Sequence, residues 1–149
     1  MENTALRAIE EDILGLLKEV ASLKSELGEQ QAGRKKEQKV LLLGMLDVLD
    51  SFDRLFANIE PKEATADKQA RIWVNNFRSV RRVLLGQLET WGVTRIEAPE
   101  GRALPGFHTI VETRASPDLD NDTIVEEVMK GYLWRGEVLR KSDVVVVKN

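Results

Sequence analysis

The chain has 149 residues, of which 42% are hydrophobic and 32% are charged, and its net charge at pH 7 is −3. This balance favours long solvated helices over one compact globule and argues against nucleic acid as the main partner. There is no cysteine, which excludes disulfides and thiolate chemistry, and no apolar run approaches the roughly 20 residues of a membrane span. The acidic, amphipathic N-terminal stretch is unlike a secretory signal, so we expect a cytoplasmic protein with no membrane partner.

The first predicted helix carries a narrow apolar seam. Charged residues flank it, and its members follow steps of three and four residues: Leu6, Ile9, Ile13, Leu16, Val20, Leu23 and Leu27. A stripe this narrow is too thin to form the core of a single chain. We interpret it as a coiled coil between two copies, with packing against another helix of the same chain as the alternative.

A polar segment at 28–39 follows the seam and contains Ala32 as its one apolar residue. Its two glycines each cost a helix roughly 1 kcal/mol relative to alanine. From Leu27 to Leu42 the spacing is one residue more than two heptads, which one continuous helix accommodates as a stutter. The sequence therefore leaves open a single helix from about residue 4 to 59 or a break at 28–33.

The apolar face then widens, which is typical of a helical bundle. Pro61 is expected to end the first helix, Thr65 to cap a second, and Gly92 to end that one in the left-handed conformation. The second helix carries the apolar stripe Trp73, Phe77, Val80, Leu84, Leu88 and Trp91. Two such helical hairpins predict a dimeric four-helix bundle, whose interface we assign to Leu42, Leu49, Phe52 and Phe56 together with the seam.

After Gly92 the apolar period changes from 3.6 to 2, which predicts a small β-domain. Its strands are expected at 93–96, 108–114, 123–129, 132–134, 137–140 and 144–147. Arg135 and Gly136 predict a hairpin turn, and the four final valines predict a last strand buried on both faces. The fold class is therefore α+β, with a coiled-coil helix and neck at 1–39, a helical hairpin at 40–92 and a β-domain at 93–149.

Two loop motifs with chemical meaning fail when their full patterns are compared. The glycines of 131–136 have the spacing of a phosphate-binding loop, but Glu137 and Val138 stand where lysine and a hydroxyl residue are required. The acidic turn at 118–122 begins like a calcium loop but lacks its glycine and its final glutamate. Neither motif supports a cofactor or a metal.

Catalysis is not expected either. His108 is the one histidine, and the sequence offers it neither a nucleophile nor an orienting partner. We interpret it as a structural residue at the start of a strand. Asp47, Asp50 and Asp53 recur every three residues on a helix, and we interpret them as a solvated face rather than a cation site.

Aromatic and arginine side chains come together near the C-terminus. Tyr132 and Trp134 alternate on a predicted strand beside Arg135 and Arg140, and these residue types dominate protein-binding hot spots. We expect Tyr132 in the core. For Trp134 the sequence leaves core and binding surface equally open.

Three stretches resemble the GrpE family and occur in the same order along the chain as in that family, over roughly residues 40–149. That family closes on Gly-Tyr, a small turn, Leu-Arg and a valine strand, which here are Gly131-Tyr132, Arg135-Gly136, Leu139-Arg140 and 144–147. The segment MLDVLDSFDR at 45–54 is similar to the family's LLPVLDNLER. The Trp91-Gly92-Val93 junction resembles its Phe-Gly-Val.

The resemblance implies a homodimeric nucleotide exchange factor without enzyme activity, in which paired long helices and a four-helix bundle carry two β-wings. A wing would bind the ATPase domain of a DnaK-type chaperone, open its cleft and accelerate ADP release. The contact residues expected on this basis are Pro105, Phe107, His108, Trp134, Arg135, Gly136, Leu139 and Arg140. The competing interpretation is a dimeric coiled-coil adaptor whose β-domain binds a different protein.

Overall fold

The structure, a computed structural model, describes residues 2–98 and 100–149. Two helices, α1 (Glu2–Glu63) and α2 (Lys68–Thr90), precede six strands. The strands are β1 (Val93–Arg95), β2 (His108–Arg114), β3 (Ile124–Met129), β4 (Tyr132–Trp134), β5 (Glu137–Arg140) and β6 (Ser142–Val147). The α+β class, with a long first helix, a helical hairpin and a C-terminal β-domain, is confirmed. The chain divides into two compact units, Met1–Leu41 and Leu42–Asn149.

In the first unit, α1 runs without interruption through 28–33, so the predicted alternative of a break there is wrong. The side-chain positions that Gly28 and Gly33 leave empty face open space, and the modest propensity cost of two glycines does not outweigh helix propagation. Every seam side chain remains about half exposed, from 46% at Val20 to 61% at Leu16. The alternative of packing against another helix of the same chain is therefore not observed among the described residues.

The turn between the helices differs from the prediction in two places. Pro61 lies inside the last turn of α1, where its missing N–H removes one hydrogen bond, and the helix ends two residues later at Glu63. The N-cap of α2 is Asp67 and not Thr65, since the Asp67 carboxylate accepts from the Ala70 amide at 2.7 Å. The Thr65 hydroxyl instead donates to the Lys62 carbonyl. Gly92 ends α2 with φ of 83°, as predicted.

The core of the second unit is shared by the helices and the β-domain. Its buried members are Leu42, Leu46, Leu49, Leu88, Val93, Tyr132 and Trp134. Leu42 and Leu49, which we assigned to the dimer interface, thus lie in the chain's own core. Phe52 and Phe56 are half-buried and stack on each other with ring centroids 6.2 Å apart.

The apolar stripe predicted for α2 is only partly the stripe that packs within the chain. Val74 and Leu88 are buried, whereas Trp73, Phe77 and Val80 are exposed. The helix therefore has two apolar faces, of which the described chain covers one. Near the turn, both terminal nitrogens of Arg78 donate to the Glu63 carboxylate at 2.7 and 2.6 Å, and these hydrogen bonds lower the pKa of Glu63.

The strands form two three-stranded sheets, ordered β1-β4-β5 and β2-β6-β3. In the second sheet β6 is central, parallel to β2 and antiparallel to β3. Its four valines are all buried, which confirms the prediction of a last strand covered on both faces. β6 begins two residues before the predicted bound, and the bounds of the other strands agree with the predictions to within one residue. Residue 99, which is in the loop between β1 and β2, is outside the described residues.

Candidate partner-binding site

The loop before β2 is a tight turn held by the histidine. The ring Nδ1 of His108 accepts from the Leu104 amide at 3.0 Å, and the amides of Phe107 and His108 both return to the Leu104 carbonyl at 3.1 Å. His108 is buried, whereas Pro105 and Phe107 are exposed. The histidine therefore has the structural role predicted for it and presents the apolar residues Pro105 and Phe107 at the surface.

The β4–β5 hairpin presents an arginine at its tip. Arg135 and Gly136 have φ of 51° and 82°, the paired positive values of a tight hairpin turn, so the predicted turn is confirmed. Both residues are exposed, and the Arg135 guanidinium lies 5.2 Å from the centre of the Trp134 ring. The tip therefore carries a positive charge at the surface.

Trp134 is a buried residue that supports the β4–β5 hairpin. It is 4% exposed, and its indole N–H donates to the Trp91 carbonyl at 3.2 Å. The Arg135 amide donates to the Gly92 carbonyl at 2.8 Å, and a Cβ on Gly92 would lie 3.2 Å from the Arg135 side chain. The open question over Trp134 is thus answered in favour of the core. The Trp91-Gly92-Val93 junction holds the base of the hairpin.

Arg140 is engaged within the chain. Its Nη1 and Nη2 donate to the two Asp50 oxygens at 2.6 and 2.9 Å, and each of these side chains is 15% exposed. Its Nε and Nη2 also donate to the Lys130 carbonyl at 3.2 and 2.9 Å. The guanidinium stands 5.8 Å from the centre of the Tyr132 ring. Arg140 therefore fixes the hairpin to α1, although the sequence placed it at the binding surface.

A second acidic residue of α1 completes this arrangement. Asp53 accepts from Arg81 of α2 at 2.8 Å and from the Lys130 ammonium at 2.7 Å. We call Asp50, Asp53, Arg81, Lys130 and Arg140 the ion-pair cluster. The interpretation of a solvated acidic face was wrong for Asp50 and Asp53, because their cationic partners lie far away in sequence.

Two further residues discussed in the sequence analysis lie outside the ion-pair cluster. Asp47 is 79% exposed, with its carboxylate 3.7 Å from Arg140, and so keeps its solvated character. Leu139 is half-buried and packs on the core.

Burial, followed by the charge of Asp53, raises the pKa of the Tyr132 hydroxyl.

The loop and the hairpin are joined through β6. The Ser142 amide donates to the Phe107 carbonyl at 3.0 Å, and the Ser142 hydroxyl accepts from the Gly131 amide at 2.9 Å. A Cβ on Gly131 would lie 2.4 Å from the Ser142 nitrogen, so only glycine fits at this position. Ser142 therefore connects the loop to the start of the hairpin.

Sequence reasoning missed an exposed apolar surface on the edge strands. It consists of Ile110 and Val111 on β2 and Val125, Val128 and Met129 on β3. Both strands flank β6, and their outer edges have no neighbouring strand in the described sheet. Adjacent apolar pairs such as 110–111 break the alternation of a half-buried strand, and this was the available signal.

Two kinds of site are not found in the part of the chain that the structure describes. Residues 2–98 and 100–149 contain no group of three or more histidine, cysteine, aspartate or glutamate side chains that would hold a metal ion. Over the same residues, neither helix combines the length and apolar character needed to cross a membrane. The exposed groups of the loop and the hairpin tip are apolar or cationic: Pro105, Phe107 and Arg135.

Comparisons with known proteins point to one family. The GrpE family model matches residues 2–148. Protein GrpE of Gloeobacter violaceus is 35% identical over 106 residues, which cover 71% of this chain and 52% of that protein. Protein GrpE of Chlorobium luteolum is 26% identical over a 170-residue alignment, which covers 99% of this chain and 85% of that protein. The chain thus aligns with about half the length of the first relative and most of the second.

Proposed function

Because this chain belongs to the GrpE family, we propose that it is a homodimeric nucleotide exchange factor of the cytoplasm. In this role it binds the ATPase domain of a DnaK-type chaperone and accelerates ADP release. The observation that supports this most directly is the β4–β5 hairpin. The residues of this hairpin that resemble the family form a tight turn with an exposed arginine, Arg135, at its tip. The protein itself makes and breaks no bond in this function.

The activity is a shift between two states of the chaperone. To favour ADP release, the protein binds the open nucleotide cleft more tightly than the closed one, and the shift is limited by this difference. Moving a 1:99 population to 99:1 requires about 5.5 kcal/mol. A contact surface held rigidly on a helix can distinguish the two states, because it cannot follow the cleft as it closes.

We divide the predicted contact residues by exposure. Pro105, Phe107, Arg135 and Gly136 form the contact surface, since they are exposed in the loop and the hairpin tip. Buried or engaged side chains hold this surface in place: His108, Trp134, Leu139 and Arg140. Aromatic and arginine side chains are enriched at protein interfaces.

Apolar surface that the described chain leaves exposed supports the proposed dimer. The seam of α1 would pair with the seam of a second copy as a coiled coil. The exposed Trp73, Phe77 and Val80 of α2 would meet a second hairpin in a four-helix bundle. In this proposal residues 1–39 are the coil and neck, 40–92 the bundle hairpin and 93–149 the wing.

The test is the release of a fluorescent ADP analogue from the ATPase domain of a DnaK-type chaperone, with and without this protein. We expect the wild type to accelerate release strongly. Arg135→Ala should raise the concentration needed for half-maximal acceleration by about tenfold, since a truncated hot-spot arginine costs 1 kcal/mol or more. Arg71→Ala, which removes an exposed arginine from α2, is the matched control.

Two outcomes would contradict the proposal. If the wild type fails to accelerate release from several DnaK-type chaperones, the adaptor interpretation is favoured. If it accelerates release but Arg135→Ala behaves like Arg71→Ala, the exchange function stands and the hairpin tip is not the contact surface.

A further inference from the structure

The Asp50–Arg140 pair joins two parts of the chain that lie 90 residues apart in sequence. Asp50 is on α1 and Arg140 is the last residue of β5. The two parallel hydrogen bonds fix both the distance and the orientation of the groups, which a single-point ion pair would not. This pair therefore restrains rotation of the hairpin on the helix as well as its separation from it.

The ion-pair cluster fixes the other end of the hairpin as well. Arg140 donates to the Lys130 carbonyl, and the Lys130 ammonium binds Asp53, one helical turn after Asp50. The connection from β3 to β4 is thus held through both its backbone and its side chain. The start and the end of the hairpin are therefore both bonded to the same short stretch of α1, which carries Asp50 and Asp53.

Asp50 is too enclosed to serve as a contact residue. Its side chain is 15% exposed, and both carboxylate oxygens accept from Arg140. Any effect of Asp50 on a partner must therefore act through the position of the hairpin. This separates Asp50 from Arg135, whose side chain is at the surface.

We propose that Asp50 and Arg140 are positioning residues that lock the β4–β5 hairpin on α1, so that binding of the hairpin is converted into opening of the chaperone cleft. The inference rests on the proposed exchange function and extends it. We call the Asp50–Arg140 ion pair the lock. While it is intact, the hairpin binds the open cleft in one orientation. Without it, the hairpin follows the cleft as it closes, and the difference in affinity between the two states shrinks.

The test compares Asp50→Asn and Arg140→Lys with the wild type in the ADP-analogue assay, at a temperature where circular dichroism shows every variant to be folded. Asp50→Asn keeps the shape and removes the charge, and Arg140→Lys keeps the charge and loses the fork. We expect the release rate at saturating protein to fall about tenfold, within the usual range of coupling between sites. The half-saturating concentration should change by less than about threefold, a small part of such a coupling effect.

Asp47→Asn is the matched control, because it makes the same change one turn earlier on the same helix, where the 3.7 Å ion pair of Asp47 with Arg140 is exposed to water and worth little. It should leave both parameters unchanged. Arg135→Ala should show the opposite division, with a raised half-saturating concentration and a nearly normal maximal rate. Hydrogen exchange of the amides at 132–140 gives a second readout and should be faster in Asp50→Asn than in Asp47→Asn.

The lock is overturned if folded Asp50→Asn retains the wild-type maximal rate. It is also overturned if Arg140→Lys alone is defective and only in half-saturating concentration, which would make Arg140 a contact residue. Should Asp50→Asn fail to fold, Arg140→Lys provides the test. If the wild type does not accelerate release at all, the proposed function fails, and the lock is judged by hydrogen exchange, where unchanged protection of 132–140 would reject it.

Discussion

The two compact units of this chain differ in how their apolar residues are used. Every described side chain from residue 3 to residue 38 is exposed, including all seven leucine, isoleucine and valine residues of the seam. From Leu42 onwards the chain buries leucines, valines, Tyr132 and Trp134 in a core of its own. Among the described residues, the first unit therefore has no buried apolar core within the chain, whereas the second unit has one.

The largest effect should come from removing a core leucine. Leu46 is fully buried, so Leu46→Ala should lower the free energy of unfolding of the second unit by about 2–5 kcal/mol through lost burial and a residual cavity. The matched change Leu16→Ala, at an exposed seam position, should leave that transition unchanged. Denaturant unfolding followed by tryptophan fluorescence measures it, because all three tryptophans, Trp73, Trp91 and Trp134, lie in the second unit.

Equal destabilisation of that transition by Leu16→Ala would show that the two units do not draw on separate sources of stability. A variant Leu46→Ala that unfolds like the wild type would show that the core around α1 is not formed as described.

Glycine to alanine substitutions should have opposite signs in the two units. Gly131→Ala places a methyl group 2.4 Å from Ser142, and overpacking of this kind costs about 1–3 kcal/mol or more. Gly15→Ala meets nothing within 4 Å on an exposed helix and should stabilise it by about 0.5–1 kcal/mol. Thermal unfolding by circular dichroism compares the two, and a neutral Gly131→Ala would contradict the close approach.

The exposed seam predicts that the stability of the first unit depends on protein concentration. If a second copy covers it, a tenfold dilution should lower the apparent stability of the coil by about 1.4 kcal/mol. The transition of the second unit should respond less, because its core lies within one chain. Helix melting by circular dichroism over a dilution series tests this, and a coil transition that is independent of concentration would contradict self-association.

The elements that the sequence predicted well are those decided by neighbouring residues. The Arg135-Gly136 turn was predictable because a two-residue hairpin needs positive φ, which glycine supplies. The valines of β6 were predictable because an unbroken β-branched run suits a strand covered on both faces. The seam was also predictable from neighbouring residues, since their period alone indicates which side of α1 is apolar.

What the sequence did not reveal depends on distant partners. Asp50 and Asp53 look solvated until Arg140 and Lys130 are brought to them across 90 and 77 residues. The two apolar faces of α2 are equally plausible cores until packing selects Val74 over Trp73. The role of Arg140 was missed because its motif indicates a charged residue but not which group it binds.

The smallest effect concerns the one tyrosine, which tests how far the core of the second unit excludes water. Burial, reinforced by the charge of Asp53, raises the pKa of Tyr132 above its ordinary value of 10.0, so the folded state favours the neutral hydroxyl. The resulting stability is fully present below the unfolded pKa and is lost as pH rises through the folded pKa. The unfolding free energy of the second unit should therefore fall above about pH 10. Tyr132→Phe should reduce that fall, because it keeps the ring and removes the titrating group. Because the chain has a single tyrosine, tyrosinate absorbance reports this one group directly, and an ordinary titration midpoint would contradict its enclosure.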